Sequence, residues 1–118
     1  MDDWTLPADR SAAAAARWHV AEALADWPSS DDAVLVASEL VTNAVDHGRP
    51  PVRLRVVRTD AAAVIEVTDA GHGTPEPRSA GAHEARGRGL SLVASLARDW
   101  GWEDTADGVR VWALLPRP

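Results

Sequence analysis

Two pairs of neighbouring segments show the alternation of side chains that is typical of β-strands. This is the feature that most restricts the fold of the chain. Apolar and charged side chains alternate through 52–56, and alternation recurs within the more apolar run 64–68. Thr59-Asp60 marks a turn between them, and Ala106-Asp107-Gly108 is a strong hairpin signal further on. The predicted hairpins pair 52–56 with 64–68 and 100–103 with 109–115. Hairpins pair antiparallel, so the sheet is expected to be mainly antiparallel.

The first helical pattern begins at Ser11, a suitable N-cap, and runs to about Trp27 before Pro28 ends it. One stripe of this helix falls at helical spacing and is assigned to the core. It contains Trp18, Ala21, Leu24 and Ala25.

The second helical pattern covers about 32–47, with Ser30 or Asp31 as its cap. Gly48 follows, where a left-handed residue commonly ends a helix. A third helix is predicted over about 89–98. Its apolar face would hold Leu90, Val93, Ala94 and Ala97.

The order of these elements predicts an α+β two-layer sandwich. A short strand at 4–6 precedes the first helix, and the sheet is expected to be mixed, mainly antiparallel, with three helices on one face. Arg53 and Arg55 are expected to face Glu66 across the first hairpin. At 118 residues without a visible linker, the chain is expected to form one domain, 1–118.

The amino-acid composition of the chain excludes several kinds of site and of binding partner. The absence of cysteine excludes disulfides and thiolate metal sites. The net charge of −6 argues against broad nucleic-acid or anionic-membrane binding. No signal peptide and no apolar run of about 18 residues is visible, so a cytoplasmic location is expected.

A row of polar side chains follows the second helix. Glu39 and Asn43 are four residues apart and His47 continues the row one turn later, so the three side chains are neighbours. This row could simply face water. Alternatively, the Asn43 carbonyl suits Mg²⁺, and the Glu39 carboxylate could accept a proton from an attacking hydroxyl.

A carboxylate and two glycines follow the second strand of the first hairpin. Asp69-Ala-Gly71-His-Gly73 could be an ordinary Asp-x-Gly turn. It could also hold Asp69 at a strand end to accept a hydrogen bond from an exocyclic amine. Gly71 and Gly73 would then allow the backbone to approach a base closely.

A long glycine-rich loop ends where the third helix begins. Residues 70–86 form a loop of about 17 residues, a length that is usually functional or disordered. Arg86-Gly87-Arg88-Gly89-Leu90 could be a flexible entry with solvated arginines, or a helix N-terminus that binds phosphate. It is neither a Walker A loop nor a Rossmann fingerprint.

Together, in this order, the three segments resemble the N box and the two glycine boxes of the GHKL ATPase superfamily. The run Glu39-x-x-x-Asn43-Ala-x-x-His47-Gly is most similar to the anti-sigma-factor serine kinases and their actinobacterial relatives. Leu6-Pro7-Ala-Asp, Arg17 and Gly108-x-x-Val111-Trp112 also fit that group. The resemblance implies the Bergerat fold, an ATP-binding histidine kinase-like domain.

The resemblance also implies roles for single residues. Asn43 would ligate Mg²⁺ and Glu39 would act as general base. Asp69, with Gly71 and Gly73, would bind the adenine amino group. His47 and Leu90 would belong to the nucleotide site, with Arg86, Gly87, Arg88 and Gly89 near the phosphates. Residues 74–86 would be the lid over bound nucleotide.

Two functions remain open at this stage. One is an ATP-dependent serine/threonine kinase that acts as an anti-sigma factor, phosphorylates an anti-sigma antagonist and holds a sigma factor. The other is a nucleotide-gated interaction module without kinase activity. The second is motivated by Val109 and Arg110, which stand where the family often has Thr near the adenine. Relatives in the anti-sigma group often dimerise, so a homodimer is also an expectation.

Overall fold

The computed structural model describes residues 2–71 and 91–117 of the chain. Two helices and five strands lie within these ranges, and residues 91–96 are helical as well. In chain order the elements are β1 (Asp2–Leu6), α1 (Ser11–Ala23), α2 (Ser30–His47), β2 (Val52–Arg58), β3 (Ala62–Asp69), β4 (Asp99–Thr105) and β5 (Gly108–Pro116).

The strands form one five-stranded sheet in the order β1-β2-β3-β5-β4. A mixed, mainly antiparallel sheet was expected. Every neighbouring pair of the described strands is antiparallel. Both predicted hairpins are confirmed. In the second, Thr105 pairs with Gly108 across the turn residues Ala106 and Asp107.

The helices cover one face of this sheet, as predicted for a two-layer sandwich. Alternate side chains of β2, β3 and β5 are buried beneath them because successive strand residues point to opposite faces. The buried strand residues include Leu54, Ile65, Val67, Ala113 and Leu115. Val93 and Ala97 join the same core and confirm that face of the third helix, whereas Ala94 is exposed.

The core face of α1 differs from the predicted stripe. Trp18 is 62% exposed, and Ala21 and Ala25 are exposed too, so only Leu24 of that stripe is buried. The buried face of α1 lies on the other side of the helix, where every fourth residue is buried. It consists of Ala12, Ala16, Val20 and Leu24. Alanine occurs on both sides of the helix, so apolar spacing alone selected the wrong side.

The ends of the helices also differ from the predictions. Helix α1 stops at Ala23, and Ser11 is its first residue rather than its cap. The Oδ1 atom of Asp9 accepts hydrogen bonds from the backbone N–H and the hydroxyl of Ser11, at 2.8 and 2.5 Å. Helix α2 begins at Ser30, and Gly48 after it is extended (φ −98°, ψ −156°) rather than left-handed.

The other face of the sheet is lined with alternating charges. Arg55 pairs with Glu66 at 3.6 Å as predicted, and Glu66 also binds Arg110 at 3.2 Å. Arg53 does not face Glu66; it pairs with Asp3 of β1 at 2.9 Å. The prediction missed this pair because Arg53 lies opposite Thr68, and β1 supplies the nearer carboxylate.

The connection between α1 and α2 is fixed to the sheet by Arg58. Its guanidinium donates to both carboxylate oxygens of Asp26, at 2.6 and 3.3 Å. The same group lies 5.3 Å from the ring centroid of the buried Trp27. The hydrogen bond from Arg58 lowers the pKa of the Asp26 carboxyl from its ordinary value of 3.8, against a small opposing effect of desolvation.

We predict that Asp26→Asn slightly lowers the thermal unfolding midpoint at neutral pH. Because the native pKa of Asp26 is lowered, its contribution to stability is complete above about pH 4 and is lost as the pH falls through the native pKa. The difference between variant and native protein should therefore shrink in acid. Thermal unfolding followed by circular dichroism from pH 7 to pH 2.5 measures it, with Asp107→Asn in an exposed turn as control. An equal difference at all pH values would contradict the assignment.

Candidate nucleotide-binding site

The Asp69 carboxylate is held where the end of β3 meets the end of α2. Its Oδ1 atom accepts a hydrogen bond from the backbone N–H of Gly71 at 2.7 Å and a longer one from that of Arg49 at 3.3 Å. The Ala70 N–H donates to the Arg49 carbonyl at 2.8 Å, so the two chain segments are tied together. Neither of these two bonds to Asp69 involves its Oδ2 atom.

Two glycines enclose this carboxylate. A Cβ on Gly48 would lie 2.5 Å from each carboxylate oxygen of Asp69, and one on Gly71 would lie 2.8 Å from Oδ1. Both distances are far inside van der Waals contact, so only glycine lets the backbone surround the carboxylate. Gly48 therefore has a function that the sequence reasoning missed. Its position directly after His47 was visible, but it was interpreted as a helix terminator.

A third glycine closes the site from β5. Gly108 has φ +155°, and a Cβ there would collide with the carbonyl oxygen of Asp69 and with Ala70. Val109 is the register partner of Asp69 and is buried. Arg110 is on the opposite face of the sheet, where it binds Glu66 and Glu103. Of the two residues that replace the family's Thr, only Val109 therefore borders the Asp69 region.

The polar row of α2 lies along the edge of its buried face. Glu39 and Asn43 are half-buried, and His47 at the helix end is exposed. The buried neighbours Val36, Leu40 and Ala44 hold the helix against the sheet. The row does not simply face water, since two of its three members are partly covered.

Asn43 contains a buried amide nitrogen with an unmet hydrogen-bonding requirement. Among the described residues, no acceptor lies within hydrogen-bonding distance of its Nδ2 atom. A buried donor that makes no hydrogen bond costs about 1–3 kcal/mol, which a ligand that accepts from it would recover. Two other such donors, Trp27 Nε1 and Arg110 Nε, occur elsewhere in the described residues. Asn43 precedes Gly48 by five residues, about 7.5 Å along the helix axis, and Gly48 touches Asp69. The structure thus brings the α2 row and the Asp69 carboxylate to the same end of the domain.

The donor set fits a magnesium ion that is bound together with phosphate. Within residues 2–71 and 91–117, no group of three or more histidine or carboxylate side chains could hold a metal without help. One carboxamide with a carboxylate one turn away matches Mg²⁺, which keeps several waters and takes phosphate oxygens as ligands. The residues present therefore fit a metal that arrives with nucleotide.

Some predicted site residues lie outside the described ranges. They are Gly73, the lid 74–86, and the phosphate segment Arg86, Gly87, Arg88, Gly89 and Leu90. Their predicted roles stay predictions. Residues 91–96, which follow this segment, are helical.

Comparison with known proteins decides the family. The family model described as histidine kinase-like ATPase domain matches residues 6–114, nearly the whole chain. The chain belongs to this family. It is therefore an ATP-binding, GHKL-type kinase-like domain, and the Bergerat architecture expected from the resemblance is confirmed.

Two relatives show the extent of the likeness. The ATPase domain is 36% identical over 90 residues to the signal transduction histidine-protein kinase AfsQ2 of Streptomyces coelicolor, covering 62% of this chain and 16% of that protein. It also resembles the histidine kinase domain of the blue-light activated kinase of Erythrobacter litoralis EL346. There the TM-score is 0.54 at 23% identity, over 75% of this chain and 44% of the other. The second likeness shows the fold alone.

The chain thus spans only a part of each relative. No helix in the described part of the chain is long and apolar enough to cross a lipid bilayer.

We predict that Gly48→Ala disrupts the Asp69 site. The added methyl group must displace the carboxylate, which breaks its bonds to Arg49 and Gly71 and costs about 1–3 kcal/mol of stability. ATP binding should weaken with it. Chemical denaturation and isothermal titration calorimetry measure the two effects.

The double variant Gly48→Ala/Asp69→Ala provides the control. Removal of the carboxylate removes the collision, so the stability cost of Gly48→Ala should be smaller in the Asp69→Ala background. Fully additive costs would show that the collision is not the cause.

Proposed function

We propose that this ATPase domain is a magnesium-dependent protein serine/threonine kinase that acts as an anti-sigma factor on an anti-sigma antagonist. The observation that carries the proposal is the α2 row, in which the half-buried Glu39 lies one turn from an Asn43 amide nitrogen that makes no hydrogen bond among the described residues. The anti-sigma assignment rests on the similarity of the run from Glu39 to Gly48 to that group.

In this proposal Asn43 binds the metal ion and Asp69 binds the adenine of ATP. The Asn43 carbonyl oxygen would ligate Mg²⁺, and its Nδ2 would donate to a phosphate oxygen, which would satisfy the buried amide. Oδ2 of Asp69 accepts from the adenine amino group, while Arg49 and Gly71 fix the carboxylate. Bound magnesium would neutralise phosphate charge and orient the terminal phosphoryl group.

Glu39 is the proposed general base. A serine or threonine hydroxyl of the protein substrate loses its proton to the Glu39 carboxylate as its oxygen bonds to the terminal phosphorus. The bond from that phosphorus to the bridging oxygen breaks, and ADP leaves. Glu39 is well placed for this step because it lies one helical turn from the proposed metal ligand.

A second function, a nucleotide-gated interaction module without phosphotransfer, is favoured by Val109. This buried apolar residue next to Asp69 offers no hydroxyl to a nucleotide. The named relatives are histidine kinases, so transfer to histidine is a further outcome that the tests must separate.

We predict that Mg-ATP raises the unfolding midpoint through Asn43. At about 100 times its dissociation constant a ligand adds about 2.7 kcal/mol, which is about 10 °C for a domain of this size. Asn43→Ala should lose most of that shift without lowering the ligand-free midpoint much, because it removes a buried donor that makes no hydrogen bond among the described residues, and this gain offsets the packing that is lost. Differential scanning fluorimetry with and without Mg²⁺ measures both.

Thr42→Ala is the matched control, since Thr42 is the exposed neighbour of Asn43 on α2. It should keep the whole shift. A native protein that shows no shift with Mg-ATP would contradict nucleotide binding by this site.

We predict that Glu39→Gln lowers the rate of phosphotransfer by about 10²–10⁴-fold and leaves the Mg-ATP shift intact. The assay incubates the chain with labelled ATP and candidate antagonist proteins. Label that survives acid but is released by alkali identifies phosphoserine or phosphothreonine, whereas acid-labile label identifies phosphohistidine.

The outcome of this phosphotransfer assay distinguishes the kinase from the nucleotide-gated module. A clear Mg-ATP shift without transfer above background supports the gated module. Equal transfer by native protein and Glu39→Gln would remove Glu39 from the mechanism.

A further inference from the structure

An apolar side chain is exposed on α2 one helical turn before Glu39. Leu35 is 40% exposed, and Trp18 is the only other large apolar side chain that is exposed among the described residues. Four residues separate Leu35 from Glu39, and four more separate Glu39 from Asn43, so the three side chains follow one row along the helix. The proposed metal ligand, the proposed general base and an apolar surface therefore follow one another in that order.

A carboxylate extends this row by one more turn. Asp31 is exposed in the first turn of α2, four residues before Leu35, and Asp32 adds a second carboxylate beside it. Within the described ranges Asp31 takes part in no ion pair. Both carboxylates complement the positive end of the helix dipole, and the exposed Asp31 is also accessible to a cation of a partner. Beyond Glu39 the row thus offers first an apolar contact and then a negative charge.

The spacing of this row matches that of an extended polypeptide. Four helical residues advance about 6 Å along the helix axis, because each residue rises about 1.5 Å. Two residues of an extended chain advance about 6.6 Å, and every second side chain points to the same face. An extended segment whose hydroxyl lies at Glu39 therefore places its next side chain on that face at Leu35, and the following one at Asp31.

We propose that Leu35, with the carboxylates Asp31 and Asp32, selects the acceptor segment of the protein substrate, which binds along α2 in an extended conformation. The segment carries an apolar side chain two residues from the acceptor serine or threonine, and a lysine or arginine four residues from it. This inference rests on the proposed phosphotransfer, since Glu39 defines where the acceptor hydroxyl lies. The two carboxylates disfavour an acidic residue at the outer position of the segment.

Synthetic peptides test this proposal on the full chain with labelled Mg-ATP. The probe peptide has one serine, a leucine two positions away and a lysine four positions away, with glycine and alanine elsewhere. Matched peptides replace the leucine with alanine or the lysine with glutamate. Each is made in both chain directions, because the row defines distances from the acceptor. For the native chain, kcat/KM for the probe should be about tenfold that for the alanine peptide and about fivefold that for the glutamate peptide.

We predict that Leu35→Ala removes the preference for leucine. It should raise the KM for the probe peptide about tenfold and leave kcat nearly unchanged, because an apolar contact away from the reacting atoms binds ground state and transition state equally. The Mg-ATP shift of the unfolding midpoint should stay intact. Leu35→Met should keep the preference, since methionine has a similar volume. Trp18→Ala, which removes the other exposed large apolar side chain, is the control and should have no effect.

Charge reversal tests the outer end of the row. Asp31→Lys/Asp32→Lys should prefer the glutamate peptide over the lysine peptide about threefold, which is the reverse of the native preference. Asp31→Asn/Asp32→Asn, which disturbs the start of the helix less, should make the two peptides equal. Asp104→Lys/Asp107→Lys makes the same charge change at exposed positions of the second hairpin and should keep the native preference.

Peptide binding is measured separately from transfer, with the serine of each peptide replaced by alanine. Fluorescence anisotropy of labelled peptides, titrated with protein up to about 1 mM in the presence of Mg-ATP, should show the same two preferences. Selective binding without transfer would contradict the proposed kinase activity and support the selection by Leu35 and the carboxylates. Transfer to every serine peptide without selectivity would support the kinase and overturn the selection. Equal or undetectable binding of all peptides, or preferences that survive Leu35→Ala and the charge reversal, would also overturn it.

Discussion

The structure of the site depends on one carboxylate held by backbone. Oδ1 of Asp69 accepts from Gly71 and Arg49, and this links the strand that ends at Asp69 to the helix that ends at His47. Gly48, Gly71 and Gly108 lack side chains at the three points where backbone closes around Asp69 and Ala70. A methyl group on Gly48 or Gly71 would collide with the Asp69 carboxylate, and one on Gly108 would collide with the Asp69 carbonyl and Ala70. The fold and the binding site therefore share the same close contacts.

The polar side chains of α2 and those of the open sheet face differ in whether their hydrogen bonds and ion pairs are already made. Among the described residues, the buried amide nitrogen of Asn43 makes no hydrogen bond. This costs free energy, which a ligand that accepts a hydrogen bond from the amide would recover. The charges of the open sheet face are already paired with one another across the strands. A buried donor without a partner favours ligand binding, whereas a compensated surface network gives little reason to bind one. Arg110 Nε on the open sheet face also makes no hydrogen bond among the described residues, but its guanidinium is paired with Glu66 and Glu103. The α2 row, where such a donor lies one turn from the Glu39 carboxylate, is therefore the centre of the proposed function.

The two helices use their faces differently. Helix α2 buries one face and places its functional row at the border of that face, so packing fixes the row in position. Helix α1 buries a narrow row of small residues and leaves Trp18 outside, braced by His19.

The sequence by itself determined the sandwich, both hairpins and the ordered boxes around Glu39, Asn43 and Asp69, because strand alternation and the family's spacing are local properties. It could not decide which side of α1 is buried, since alanines on both sides give the same local signal and only the position of the sheet distinguishes them. It assigned Arg53 to Glu66, where β1 brings Asp3 nearer. It also interpreted Gly48 as a helix terminator. Only tertiary structure shows that Gly48 is needed for space, because the group that requires the space, Asp69, lies twenty-one positions later in the chain and approaches through folding.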